Sequence, residues 1–138
     1  MANKRNVTVR MKADLEYESR NPQGNLVNID MYDPEHKHAQ SPMDLLLSAL
    51  GGCASVDAVL MMKKKRKEIV DFYVEVEGIR NDGVPAFYTD IELKFILVSP
   101  DATEEEFAKV VALSVDKYCS VASSLKSNIT YISEVKRP

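Results

Sequence analysis

The sequence predicts an α+β domain in which antiparallel strands pack helices against one side. Two observations lead to this class. Several segments place apolar residues at every second position, as half-buried strands do. One long apolar segment, residues 41–60, lies between these strand-like segments and carries the start signals of a helix. The 138 residues fit a single domain, residues 1–138, because no repeat or low-complexity linker divides them.

Three strands are predicted before the long apolar segment. Residues 6–12 alternate apolar and polar side chains, residues 15–20 do so more weakly, and residues 25–31 form a third alternating run. The turn composition Asn-Pro-Gln-Gly at 21–24 separates the last two runs. We therefore expect an antiparallel meander without an obvious site.

A polar loop, residues 33–40, follows and contains the only two histidines, His36 and His38. A His-x-His pair could begin a metal site. The sequence offers no third ligand close by, so a solvated loop is favoured over metal binding.

The long apolar segment has strong signals for a helix start. Ser41 can cap the first turn, Pro42 suits the first helical position, and Asp44 stands three residues after Ser41 as in a capping box. Apolar residues lie on all sides of this helix, so most of its circumference is expected to be buried. The basic run Lys63–Lys67 ends the helix with charges that suit the negative end of its dipole.

Two glycines and a cysteine stand in the middle of this helix, at Gly51, Gly52 and Cys53. Each glycine costs about 1 kcal/mol relative to alanine inside a helix. A helix that keeps both is expected to have another backbone very close to it, beside Cys53.

The C-terminal half continues the mixture of strands and helices. An Asp-Gly turn signal joins two long alternating runs and predicts a hairpin. A second helix, a short third helix and a last strand then follow. The predicted elements are strands over 69–80 and 88–98, a helix over 103–118 capped by its first residue, a short helix over 119–125 and a strand over 128–135.

The composition is that of an ordinary soluble protein. The net charge of −3 gives no sign of nucleic acid or a membrane surface as partner. Residues 1–12 are too polar for a signal peptide, and polar and glycine residues interrupt the apolar stretch 45–62, which argues against a membrane span. We therefore expect a cytoplasmic protein that binds neither nucleic acid nor membrane and holds no cofactor or metal.

The two cysteines, Cys53 and Cys119, are the candidates for chemistry. A permanent disulfide is not expected in a reducing cytosol, whereas an inert place in the core and a transient redox pair both stay open. Cys119 or Ser120 caps the short helix, where the helix dipole would lower the pKa of the Cys119 thiol. Cys53 lies within its helix and would need a neighbour such as an arginine for activation. Neither cysteine has a recognisable histidine base, so thiol redox chemistry is favoured over hydrolysis.

Two motifs resemble a known family. The segment Ser-Pro-Met-Asp-Leu-Leu-Leu-Ser-Ala-Leu-Gly-Gly-Cys at 41–53 and the segment Lys-Tyr-Cys-Ser-Val-Ala at 117–122 resemble the OsmC/Ohr family of osmotically inducible and organic hydroperoxide resistance proteins. The resemblance covers nearly the whole chain. It implies an α+β fold and an intertwined homodimer whose long cysteine helices pack back to back at its centre, which would explain the paired glycines.

The resemblance also implies a peroxidase cycle. Cys53 attacks the peroxide as a thiolate and becomes a sulfenic acid, and Cys119 resolves it as a disulfide that lipoyl-type dithiols reduce. Active members hold the thiolate with an arginine from the N-terminal strand region, for which Arg20 is the best candidate here. They also place a glutamate directly after the helix-start proline. This chain has Met43 there, and Asp44 is the candidate substitute, although it stands about 100° further around the helix.

Because Met43 stands where active members have the glutamate, two functions are possible. The first is an OsmC-like thiol-dependent peroxidase that reduces organic hydroperoxides through Cys53 and Cys119. The second is a non-enzymatic OsmC-like homodimer that binds a small apolar ligand in the interface cleft near Cys53.

Overall fold

The chain divides into two compact units, one ending at Leu46 and the other running from Leu47 to Pro138. The computed structural model describes residues 3–138. Strands and helices follow one another in the predicted order, so the α+β class is confirmed. The expected single domain over residues 1–138 stays a prediction.

The N-terminal unit contains the predicted meander. Its strands are β1 (Thr8–Ala13), β2 (Glu16–Arg20) and β3 (Leu26–Asp30), and they lie in the order β1-β2-β3 with antiparallel pairing throughout. The prediction of an antiparallel meander is therefore confirmed.

A buried aspartate, which the sequence analysis did not single out, holds the loop after β3. The carboxylate of Asp30 accepts hydrogen bonds from the backbone N–H groups of His38 at 2.9 Å and Ala39 at 2.7 Å, and from Lys37 Nζ at 2.7 Å. Burial alone would raise the pKa of Asp30, but the bonds from Lys37 and the two amides outweigh it and lower the pKa to about 2. The loop is thereby anchored to the end of the sheet.

The two histidines of this loop each lie beside a carboxylate. His36 Nδ1 is 2.7 Å from Asp33 Oδ1, and His38 Nε2 is 3.3 Å from Glu16 Oε2. The hydrogen bond with Glu16 raises the pKa of His38. Within residues 3–138, no group of three or more His, Cys, Asp or Glu side chains is placed to hold a metal ion.

Helix α1 (Pro42–Lys64) begins as predicted. Ser41 Oγ accepts a hydrogen bond from the Asp44 N–H at 3.1 Å, and the Asp44 carboxylate accepts one from the Ser41 N–H at 3.3 Å. This reciprocal pair is the predicted capping box. By length and composition alone the helix could cross a membrane, a property that it shares with core helices of soluble proteins.

The C-terminal part of α1 is buried on one side only. Its fully buried side chains recur every fourth residue, at Leu50, Ala54, Ala58 and Met62. On another side, Val56 is 60% exposed and Leu60 is 53% exposed. The expectation of burial around most of the helix is thus wrong for the single chain, because one sheet can cover only one face of a helix.

The C-terminal unit is a three-stranded sheet with helices. Its elements after α1 are β4 (Asp71–Arg80), β5 (Tyr88–Val98), α2 (Glu104–Leu113), a single turn of π-helix that we call the π turn (Ser114–Tyr118), α3 (Ser120–Ser124) and β6 (Asn128–Lys136). The β4–β5 hairpin is antiparallel as predicted. A capping box between Thr103 and Glu106 starts α2, which confirms the predicted helix start.

The last strand corrects the expected antiparallel sheet. Strand β6 pairs with β5 in parallel, so this sheet is mixed. The helical segment between the two strands carries the chain back to the end of the sheet where β5 began, and the next strand must then run in the same direction. Alternation of apolar residues identifies a strand but does not give its direction.

The core of the C-terminal unit lies between the helices and one face of this sheet. The ring of Phe72 on β4 is 6.3 Å from that of Phe95 on β5 and 6.2 Å from that of Phe107 on α2. The side chains of β4 also contact α1 at Gly51. This face of the sheet therefore packs against α1, which contains Cys53, and against α2, which precedes Cys119.

Candidate thiol site

Gly51 brings α1 close to the sheet beside Cys53. A Cβ atom at Gly51 would stand 3.0 Å from Val76 Cγ2 and 3.2 Å from Val74 Cγ1, so the glycine allows a close approach of these side chains. A Cβ atom at Gly52 would meet nothing within 4 Å. The sequence predicted a close backbone for both glycines; in the single chain the close contact is with side chains, and it concerns Gly51 alone.

The π turn places Cys119 at the start of α3. Cys119 has extended backbone angles and is the N-cap of that helix, where its Sγ accepts a hydrogen bond from the Ala122 N–H at 3.4 Å. The predicted cap is confirmed. Cys119 is only 3% exposed, whereas Cys53 is half-buried, and both carry free thiols.

The two cysteines meet. The Cys53 side chain lies beside the Cys119 thiol and interacts with it. Burial is the main cause that raises the pKa of Cys119, the neighbouring Cys53 adds to it, and the Ala122 amide works in the opposite direction. The expectation that the short helix would lower the pKa of Cys119 is therefore wrong, because desolvation outweighs the helix cap.

The raised pKa of Cys119 gives the two sulfurs different chemical roles. A Cys119 thiol that keeps its proton can donate it in a hydrogen bond to the Cys53 sulfur. Cys53 is the more accessible sulfur of the two. The arrangement therefore suits Cys53 as the first sulfur to react and Cys119 as its partner.

Two open depressions flank the pair. One, of about 430 Å³, runs along α1 and is lined by Asp57, Leu60, Met61, Lys64 and Tyr118. The α1 residues of this groove lie four to eleven positions after Cys53, on the same side of the helix. The other, of about 280 Å³, includes Cys119 itself in its lining.

The other two candidate residues, Arg20 and Asp44, belong to the N-terminal unit. Arg20 ends β2, and its guanidinium donates to the Gly24 carbonyl at 3.4 Å. Asp44 is occupied by the capping box with Ser41. Their roles beside the thiols stay predictions.

Two acidic residues near the pair escaped the sequence analysis. Asp57 stands one turn after Cys53, and the spacing Cys-x-x-x-Asp on a helix could have indicated it. Asp116 of the π turn accepts a hydrogen bond of 2.6 Å from the Tyr131 hydroxyl on β6. This second contact joins residues far apart in sequence, so no local pattern could have found it.

An α+β fold that brings a helix cysteine and a helix-cap cysteine into contact defines a class of proteins with paired thiols. The chain belongs to the OsmC-like family: the family described as "OsmC-like protein" matches residues 34–134. Protein YhfA of Escherichia coli is 40% identical over 99 residues, which cover 70% of this chain and 74% of YhfA.

Solved structures share the whole fold. The crystal structure of a hypothetical protein from Aquifex aeolicus has a TM-score of 0.87 and 28% identity, and covers 99% of each chain. The organic hydroperoxide resistance protein OhrB of Bacillus subtilis has a TM-score of 0.63 and 16% identity, and covers 97% of this chain and 98% of OhrB. At that identity OhrB shows the fold alone.

Proposed function

We propose that the protein is a cytoplasmic thiol-dependent peroxidase that reduces organic hydroperoxides. The observation that carries this proposal is the contact between the Cys119 thiol and the Cys53 sulfur. Membership of the OsmC-like family and the likeness to an organic hydroperoxide resistance protein support it.

In the proposed cycle, the peroxide is reduced and the disulfide forms in two steps, and a third step restores the thiols. The Cys53 thiolate attacks the terminal peroxide oxygen, the O–O bond breaks, and the alkoxide leaves and takes a proton as the alcohol. Cys53 is then a sulfenic acid. The Cys119 sulfur attacks it, a disulfide forms, and the hydroxyl leaves as water. A dithiol of the lipoyl type returns the disulfide to two thiols.

Stoichiometric cumene hydroperoxide tests this cycle. We expect the wild type to lose both thiols and gain a Cys53–Cys119 disulfide, seen by mass spectrometry. Cys119→Ser should stop at the sulfenic acid, which a dimedone-type probe traps, and Cys53→Ser should consume no peroxide. A wild type that keeps both thiols after this treatment would refute the peroxidase.

Arg20 enters the proposal as the group that would hold the Cys53 thiolate, and Asp44 as the carboxylate that would orient Arg20. Arg20→Ala and Asp44→Asn should then slow sulfenic acid formation by more than roughly tenfold, a small share of what electrostatic stabilisation can supply. Asp44→Asn also weakens the capping box with Ser41, so its effect on the thermal midpoint must be measured beside the rate. Rates equal to the wild type would remove these two residues from the site.

The exposed side of α1 supports a homodimer and, with it, a second candidate function. Val56 and Leu60 are exposed, and Gly52 faces open space in the single chain. A second copy could cover this side, and a non-enzymatic homodimer could hold a small apolar ligand there. Sustained turnover of hydroperoxide with dihydrolipoamide, lost in Cys53→Ser, would exclude the non-enzymatic alternative.

A further inference from the structure

The cleft of about 280 Å³ reaches Cys119 without involving α1. Its lining comes from the π turn, from α3 and from the segment that starts β6, and it includes Asp116, Lys117, Ser123 and Ser127 besides Cys119. Among the described residues, none of α1 lines it. A molecule in this cleft therefore lies against Cys119 and not against Cys53.

The two depressions beside the thiols differ in chemistry. The groove along α1 presents Leu60, Met61 and the ring of Tyr118 beside Asp57 and Lys64, and most of its surface is apolar. The cleft at Cys119 presents hydroxyl groups, a carboxylate and an ammonium group. Lys117 offsets the negative charge of Asp116 there, so the charged lining does not repel a thiolate, the form in which a thiol attacks a disulfide.

We propose that this cleft admits the thiol reductant, and that the reductant attacks Cys119 Sγ of the Cys53–Cys119 disulfide. The inference rests on the proposed function only for the origin of that disulfide. The incoming thiolate forms a bond to Cys119 Sγ, the protein disulfide breaks, and Cys53 Sγ leaves with the electron pair and takes a proton from solvent. The second thiol of a dithiol then displaces Cys119 Sγ, so the protein gains two thiols and the dithiol becomes a disulfide.

The leaving sulfur agrees with this direction of attack. Burial raises the pKa of Cys119, which makes Cys119 a poorer leaving group than an ordinary cysteine. Attack at Cys119 expels Cys53 instead. Exposure alone would favour attack at Cys53, because Cys53 is the more exposed residue in the reduced chain. Attack that is directed by the leaving sulfur places the adduct on Cys119, whereas attack that is directed by exposure places it on Cys53.

A monothiol reveals which sulfur is attacked, because it stops at the mixed disulfide. The protein is oxidised with diamide, exposed briefly to 2-mercaptoethanol, quenched with N-ethylmaleimide and mapped by mass spectrometry. We expect the 2-mercaptoethanol adduct on Cys119 and the maleimide on Cys53, with at least a roughly tenfold preference. A preference for Cys53, or equal adducts, would overturn the inference.

Two neighbouring serines of α3 provide a matched pair for the cleft. Ser123 lines it and Ser124 does not, and both are exposed. Ser123→Tyr should slow reduction of the disulfide by 2-mercaptoethanol roughly tenfold, whereas Ser124→Tyr should change it less than about twofold. Equal rates in the two variants would contradict a route through the cleft.

Diamide separates this inference from the peroxidase. If diamide forms the disulfide and cumene hydroperoxide does not, the proposed function fails. The position of the 2-mercaptoethanol adduct still decides which sulfur is attacked. If the disulfide forms with neither oxidant, the inference itself fails, because it requires that bond.

Discussion

At the scale of single residues, the two thiols are distinguished by their surroundings. Cys119 is almost fully buried and its pKa is raised, so little of it is thiolate near neutral pH. Iodoacetamide should therefore alkylate Cys53 at least roughly tenfold faster than Cys119 at about pH 7. Peptide mapping over time measures both rates. Equal rates would show that the contact with Cys53 and the burial of Cys119 do not govern its reactivity.

Asp30 makes the stability of the N-terminal unit depend on pH. Its pKa is about 2 in the fold against an ordinary value of 3.8, so its contribution is complete above about pH 4 and disappears as the pH falls towards 2. Asp30→Asn removes the charge that Lys37 and the amides of His38 and Ala39 bind. We expect the variant to melt more than about 5 °C below the wild type at pH 7.

The same variant provides the pH test. Melting temperatures of Asp30→Asn and the wild type should converge between about pH 4 and pH 2, because the wild type loses there what the variant already lacks. A difference that stays constant over this range would assign the effect of Asp30 to packing. His38 cannot imitate this trend, since its raised pKa affects stability above about pH 6.5.

These residues show where sequence patterns reach their limit. The cysteines and the capping residues Ser41 and Thr103 carry local signals, and both caps form as predicted. Asp30 resembles any polar residue at a strand end, because its partners Lys37 to Ala39 are fixed only when the loop folds back. The pKa of Cys119 likewise depends on burial, which a helix-cap pattern does not contain.

At the scale of elements, the contact between α1 and β4 depends on Gly51. Leucine at this position must enter space that Val74 and Val76 occupy, and such overpacking typically costs about 1–3 kcal/mol. Gly51→Ala should be milder, because the gain in helix propensity of about 1 kcal/mol offsets the tighter contact. Urea unfolding should rank the wild type and the alanine variant above the leucine variant. A leucine variant as stable as the wild type would contradict the close approach.

The elements themselves were largely predictable, but their arrangement was only partly so. Alternation identified all six strands, and caps identified the starts of α1 and α2. The parallel pairing of β6 with β5 was missed because strand direction is set by the crossover rather than by the strand. The contact of Cys53 with Cys119 could be expected from the family resemblance, while periodicity left both an inert core and a redox pair open.

At the scale of the whole molecule, the exposed side of α1 remains to be accounted for. Leu50, Ala54 and Ala58 are buried within the single chain, and the proposed homodimer would cover Val56 on another side. Val56→Lys should then shift the protein from the mass of two chains to that of one in light scattering, because an unpaired ammonium group would be buried in the interface. The circular dichroism spectrum should not change, since Val56 is 60% exposed within the single chain.

A matched substitution separates the interface from a general effect of charge. Val84 in the loop between β4 and β5 is fully exposed, and Val84→Lys should leave the mass of two chains unchanged. Gly52→Leu offers an independent probe, because its side chain meets nothing in the single chain but would enter the space between two packed α1 helices. If Val56→Lys and Gly52→Leu both keep the mass of two chains, the copies associate through another surface. If the wild type already has the mass of one chain, the homodimer is excluded, and the thiol pair must then work within a single subunit.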